Sequence, residues 1–266
     1  MTRRARALSP TGIYHVMVRG IGRMKIFHDD RDMVRYLETL ERFNREQQYR
    51  LYAYCLMNNH VHLLLKEENE PLSLTMKRIG VSYSKYYNLR YERVGHVFQD
   101  RFRSEAIKSE AQFVRCARYI HTNPVKAGIT ACPSQYSWSS YASYITHNCS
   151  KLIDPVPLLD YFSDNQGKAV QQLIEYTLQN NTDQFIEWDD NVRVTGSQLK
   201  QAVGEILTNN SLTLHSFSCL DINARNKLIK TLKDDIKCTS IELASVLGIS
   251  RDIIYRVTRS AKREPS

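Results

Sequence analysis

The spacing of apolar positions changes several times in the first 130 residues. Residues 12–20 (Gly-Ile-Tyr-His-Val-Met-Val-Arg-Gly) are rich in β-formers and bounded by glycines, which predicts a strand. Asp29 and Asp30 then offer an N-cap, and Met33, Val34, Leu37 and Leu40 recur at helical spacing to about Gln47. Two strand runs follow, 51–57 and 60–65, with only Asn58 and Asn59 between them. Asparagine tolerates positive φ, so a tight hairpin is expected. Leu72, Met76, Ile79, Tyr83 and Tyr86 form a second helical stripe ending near Arg90. Residues 102–108 read as a fourth strand. Residues 110–122 read as a third helix, with Phe113, Cys116, Ala117 and Ile120 on its apolar face. The order βαββαβ plus a further helix predicts a ferredoxin-like α+β fold. In that plan a four-stranded antiparallel sheet has two helices on one face and leaves the other open to a ligand or an added helix. RNA-recognition domains share it, so the fold alone names no function.

Beyond residue 130 the pattern weakens. Pro133, Pro155, Pro157 and the Tyr-Ser-Trp-Ser-Ser-Tyr run at 136–141 imply an irregular segment that follows the surface. From Asp164 onward the chain reads as all-α, with helices expected over 168–179, 197–207, 223–235, 240–247 and from Arg251 to about Lys262. Three regions are expected: a mixed domain at 1–148, an acidic and partly helical connector at 149–190, and a helical domain at 191–266.

Charge follows these divisions. The 266 residues carry +9 overall. Residues 1–150 hold 23 basic and 13 acidic side chains, 152–190 hold one and eight, and 191–266 hold 12 and seven. Both basic regions suit a polyanion, whose neutralised phosphates release counterions; the acidic stretch should stay clear of one. The six cysteines include no pair at two-to-four spacing, which argues against a zinc ribbon or dithiol motif. Free thiols in a reducing cytosol, and hence a cytoplasmic location, are the simplest expectation. No stretch approaches the roughly 18–20 apolar residues of a membrane span.

His60 and His62 flank Val61 on an expected strand, so both imidazoles point to one face from Cα atoms about 6.5–7 Å apart. Two imidazoles aimed at one point suit a metal ion, although a chain with eight histidines produces this spacing readily by chance. On the third helix, Tyr119 and Asn123 lie one turn apart on the flank of the apolar stripe. A helix laid over the open sheet face would bring them toward the histidines, joining two imidazoles, an amide oxygen and a phenol. The first three suit a divalent ion, and an assisted phenol is a nucleophile. The plain alternative for Tyr119, one of 16 tyrosines, is a half-buried helix residue.

These residues carry a resemblance. Cys55-Leu-Met-Asn-Asn-His-Val-His-Leu-Leu-Leu65, followed by Arg118-Tyr-Ile-His-Thr-Asn-Pro-Val-Lys-Ala-Gly128, resembles the single-tyrosine HUH transposases of the IS200/IS605 type, and within them the REP-associated tyrosine transposases. Val18-Arg-Gly20 and Gly95-His-Val-Phe-Gln-Asp-Arg-Phe102 extend the likeness over about residues 10–145. The resemblance implies cutting and rejoining of single-stranded DNA beside a hairpin, with Tyr119 as nucleophile and a 5′-phosphotyrosine intermediate. It further implies that His60, His62 and, as third ligand, Asn123 hold Mg²⁺ or Mn²⁺. Many relatives have Pro where this chain has Asn58. The third ligand is often Gln elsewhere, and Pro124 after Asn123 disfavours helical geometry there. Some relatives exchange tyrosine helices as dimers; a monomer is the expectation here, with a homodimer as the alternative.

Arg19, Arg101, Arg103, Arg115 and Arg118 are candidates to line a DNA path. His121, two residues from Tyr119, points elsewhere on the wheel and reads as structural. Tyr83, Tyr86 and Tyr87 are candidates for base stacking, but as a helical stripe Tyr83 and Tyr86 read as core. Residues 240–257 resemble a helix-turn-helix in which Gly248 permits the turn and Ile254 and Val257 return to the core. Arg251, Tyr255 and Arg256, together with Asp252, would then face a major groove, with Arg259, Lys262 and Arg263 extending the charge. A plain helical hairpin is the alternative. For the whole chain, the rivals to a transposase are a regulator that grips hairpin DNA without cutting and an RNA binder; the latter lacks aromatic-rich strands on the open sheet face.

Overall fold

A computed structural model describes residues 7–146, 151–186, 196–236 and 238–260. They fall into two units, the first within 1–19 and 25–187, the second within 20–24 and 188–266. The boundaries expected near 148 and 190 lie outside the described residues.

The first unit contains the strands β1 (Ile13–Arg19), β2 (Tyr49–Met57), β3 (His60–Glu67) and β4 (Arg103–Ala106). Its helices are α1 (Asp30–Arg45), α2 (Leu72–Arg90), α3 (Glu110–Lys126), α4 (Tyr141–Ile145), α5 (Val156–Asp160) and α6 (Gln166–Leu178). The sheet is antiparallel in the order β2-β3-β1-β4, the ferredoxin-like arrangement.

Register decides which residues share a face. Opposite Cα partners project to the same side, so Arg19 with His60, Met17 with His62 and His15 with Leu64 line one face. Glu105 and Arg103 of β4 join it opposite His15 and Met17. The other face carries Val61, Leu63 and Leu65 and is fully buried. Tyr49 pairs into that second face and donates its hydroxyl proton to the Leu40 carbonyl of α1, which places α1 there. A register shift between Leu51 and Ala53 turns the rest of β2, so Ala53, Cys55 and Met57 join the histidine face. α3 packs on β2 and β3 and covers that face.

Three local expectations are corrected. The 58–59 hairpin forms, but neither asparagine is among the positive-φ residues. The turn is tied down instead from outside, where Ile26 N–H and Phe27 N–H donate to the Asn58 carbonyl. α3 continues through Pro124 to Lys126 rather than stopping at 122. Ala127 N–H still bonds the Asn123 carbonyl, and Gly128, at φ 69°, ends the helix in the left-handed region. The chain beyond residue 130, expected to be merely irregular, seals the edge of β2 through residues 136–144 and Asp154. Leu56 N–H donates to the Trp138 carbonyl, Ser140 N–H to Tyr54 and Asp154 N–H to Leu51, while the Tyr136 and Tyr144 hydroxyls donate to Leu56 and Tyr52 carbonyls. An edge strand so covered offers no template to another chain.

The second unit is built from α7 (Gly196–Asn209), α8 (Leu214–Ser218), α9 (Ile222–Asp235), α10 (Ser240–Leu247) and α11 (Arg251–Ser260). They share a core that includes Leu199, Val203, Phe217, Ile229, Leu232, Leu243 and Ile254. Thr239 and Glu242 form a capping box at the start of α10, and Gly248, at φ 67°, closes it. The described residues include no helix long and apolar enough to cross a membrane.

Candidate active site

Three histidines and a tyrosine meet between the sheet and α3. His60 and His62 extend from β3 with ring centroids 5.0 Å apart and planes at 86°. Tyr119 stands edge-on to His62, centroids 5.7 Å apart, and to His15 of β1 at 5.8 Å. The spacing that puts His60 and His62 on one face thus meets the helix flank that carries Tyr119. Within one chain the phenol and the imidazole pair come together.

Hydrogen bonds orient the imidazoles. His60 Nδ1 lies 2.6 Å from the Asn59 amide oxygen, which can only accept, so Nδ1 carries the proton and Nε2 the lone pair. His62 Nδ1 lies 3.0 Å from His15 Nε2. Burial removes water from both partners of that bond. It holds His15 down at about 3, and His62 well below the usual imidazole range with help from the neighbouring His60 and His15 rings. Neutral imidazoles with Nε2 as the ligating nitrogen are the form a divalent cation takes. The donor set therefore fits a metal held by two imidazoles and oxygen donors. Asn123 is buried one turn beyond Tyr119 on α3. No cluster of three or more His, Cys, Asp or Glu able to hold a metal occurs among the described residues, so the remaining donors would be amide, phosphate or water oxygens.

The site is covered. Tyr119 is 2% exposed and His62 1%. Phe185 packs on Tyr119 at 5.3 Å and edge-on to His15 at 5.8 Å. The segment carrying it is tied to the sheet by Ile186 N–H donating to Glu105 Oε2 at 3.0 Å, and to α3 by an Arg118–Asp183 ion pair at 2.8 Å. Lys126 Nζ stands 4.7 Å from the centre of the Tyr119 ring.

The arginines expected along a DNA path divide. Arg115 and Arg101 are exposed; Arg19 and Arg103 lie on the histidine face of β1 and β4. Arg118 is the correction: it is buried, pairs with Asp183, donates to the Tyr176 carbonyl and stacks 3.9 Å over the Tyr176 ring. It braces α3 against α6 and is not presented to a ligand. His121 is fully buried, bonded through Nε2 to Ser140 Oγ at 2.9 Å and held down at about 3 by desolvation. Tyr83 and Tyr87 are buried, and Tyr86 donates its hydroxyl proton to Asp32, so none of the three offers a stacking platform. In the second unit, Arg251, Asp252, Tyr255 and Arg256 are exposed on α11 while Ile254 and Val257 are buried. Lys262 and Arg263 lie outside the described residues. Sequence reasoning missed His15 and Phe185. A polar residue at the centre of an otherwise apolar strand was the available signal for His15; nothing local marked Phe185.

Residues 10–123 match the family model described as transposase IS200 like. The match covers less than half of the chain, and over these residues the chain is similar to IS200-like transposases. The stretch runs from just before β1 to Asn123 and so includes every residue of the histidine–tyrosine cluster except Phe185. The chain is also similar to a solved structure described as a REP-associated tyrosine transposase bound to a REP hairpin. That likeness covers 57% of this chain and 90% of the other, with 17% identity and a TM-score of 0.48. No curated protein matches the chain.

Proposed function

We propose that the protein is a metal-dependent DNA strand transferase that cuts and rejoins single-stranded DNA beside a hairpin, with Tyr119 as its nucleophile. The observation that carries the reading is the Tyr119 ring lying within 6 Å of the His62 and His15 rings, beside His60. In the reaction, Tyr119 Oη bonds to the scissile phosphorus, the bond to the 3′ oxygen breaks, and a free 3′-hydroxyl and a 5′-phosphotyrosine result. Attack by a 3′-hydroxyl on that link reverses the step, joins the strand and returns the proton to the phenol. His60 and His62 through Nε2, with Asn123, would hold Mg²⁺ or Mn²⁺, which supplies electrophilic assistance at the phosphate oxygens. The buried wall of the site excludes water, which protects the covalent link from hydrolysis. A site complete within one chain suits a monomer. Exposed Arg251, Tyr255 and Arg256 on α11 suit duplex contacts that locate the target, while cutting stays with the first unit.

The cover of Phe185 over a 2% exposed Tyr119 favours a second reading, a hairpin-binding regulator that does not cut. Incubation with Mn²⁺ and a labelled hairpin carrying single-stranded flanks separates the two. Strand transfer predicts a shortened product, lost in Tyr119→Phe and His60→Ala while DNA affinity is retained. Tight binding of the cognate hairpin with no cleavage by wild type favours the regulator.

A further inference from the structure

His15 occupies a position that metal binding by His62 requires to be filled. It is fully buried on β1, on the same sheet face as His62, and its Nε2 meets His62 Nδ1 at 3.0 Å. The two rings are within 18° of parallel, as suits a bond made in the ring plane. Tyr119 and Phe185 stand edge-on to His15 and touch each other, so the three rings pack as a triangle. Two neutral imidazoles joined this way share one N–H, and the proton has two arrangements. If His15 Nε2 carries it, His62 must carry its own proton on Nε2 and cannot ligate through that atom. If His62 Nδ1 carries it, His62 Nε2 presents a lone pair. His15 then holds its proton on Nδ1, a buried atom with no hydrogen-bond partner.

We propose that His15 is a positioning residue that accepts the His62 Nδ1–H, and so fixes the His62 tautomer and ring direction for binding a divalent cation through Nε2. Asn59 does the same for His60, whose Nδ1–H it accepts at 2.6 Å. The two ligands are thereby oriented in the same sense, one from β1 and the other from the β2–β3 turn. A ligating imidazole is commonly held by an acceptor on its other nitrogen, and loss of that acceptor weakens metal affinity about 10–100-fold. His15 never touches the metal or the DNA in this role. The inference rests on the strand-transferase reading for the identity of the cation site.

The test uses the full chain without DNA. Manganese affinity is read from the free-ion EPR signal, and histidine tautomers from ¹⁵N NMR with Mg²⁺. In wild type, His62 should be protonated on Nδ1 and bare on Nε2. His15→Phe fills the space without an acceptor and should raise the Mn²⁺ dissociation constant about 10–100-fold. His15→Gln, whose amide oxygen reaches the position of Nε2, should restore affinity to within a few-fold. A purely structural role would lower the melting temperature in both variants without separating their affinities. Mn²⁺ binding unchanged in His15→Phe overturns the proposal and leaves the metal site standing. His62 protonated on Nε2 in Mg²⁺-loaded wild type overturns the proposal and removes His62 Nε2 from the ligands. Failure of wild type to bind Mn²⁺ overturns the metal site and this role with it. Should His15→Phe not fold, the wild-type tautomer decides the matter.

Discussion

The Tyr119 phenol and the His15 and His62 imidazoles are 2%, 0% and 1% exposed, so the chemistry of each is set by its neighbours and not by water. Desolvation opposes charge on both imidazoles, which keeps His62 in the neutral form that the proposed cation site needs. The same burial has a consequence for stability. His15 and His121 accept a proton near pH 6.5 when the chain is unfolded and only near pH 3 when it is folded. Between those values the unfolded state binds more protons, so stability is full above pH 6.5 and falls as the pH is lowered toward 3. Melting temperatures should decline from pH 6.5 to 5, before most carboxylates titrate, with His62 and His28, also lowered by burial, adding to the slope. In a His121→Asn variant the slope should fall by about one proton; an unchanged slope would mean that His121 is not the buried group described.

At the scale of elements, α3 carries Tyr119, the proposed nucleophile, and the ion pair that steadies the helix beside it. Arg118, one residue before Tyr119, is fixed by Asp183 and Tyr176, and its side chain and that of Asp183 are 8% and 9% exposed. Removing one partner of a buried pair strands the other charge, so Asp183→Ala should destabilise the first unit by about 3 kcal/mol, measured by urea denaturation. The C-terminal end of α3 depends on Gly128 at φ 69°, with open space around its Cβ position. Gly128→Ala should therefore cost only the backbone strain, about 1 kcal/mol, read in the same experiment. The helix itself was legible in part. Phe113, Cys116, Ala117 and Ile120 marked its buried stripe, but Pro124 suggested an end that packing and the Gly128 cap override. The β2–β3 hairpin was legible in its length and not in its backbone, because Ile26 and Phe27, which tie its turn, are distant in sequence. His15 was invisible as a site residue for a similar reason: strand register, absent from the sequence, is what brings it to His62.

At the scale of the molecule, a basic α+β unit and a basic helical unit are joined through an acidic stretch whose described part, 152–186, includes α5 and α6 packed on α3. That stretch was expected as a connector by its charge; its apolar residues Leu158, Leu159, Ala169 and Leu173 are buried and make it part of the first unit. A division of labour follows from the proposed function. Arg251→Ala with Arg256→Ala should weaken duplex-flanked hairpin binding about tenfold and flatten the salt dependence by about two ions. Cleavage at saturating DNA should be unchanged. Equal loss of cleavage at saturation would place α11 in the chemistry and contradict the division.

The central claim is that one phenol forms the covalent link, and trypsin isolates it. Cleavage after Arg118 and Lys126 yields a peptide, residues 119–126, whose single tyrosine is Tyr119. After incubation with Mn²⁺ and a short single-stranded hairpin substrate, mass spectrometry of the digest should find the nucleotide adduct on that peptide. An adduct on any other tyrosine peptide, or DNA cleaved with no adduct at all, would contradict the account.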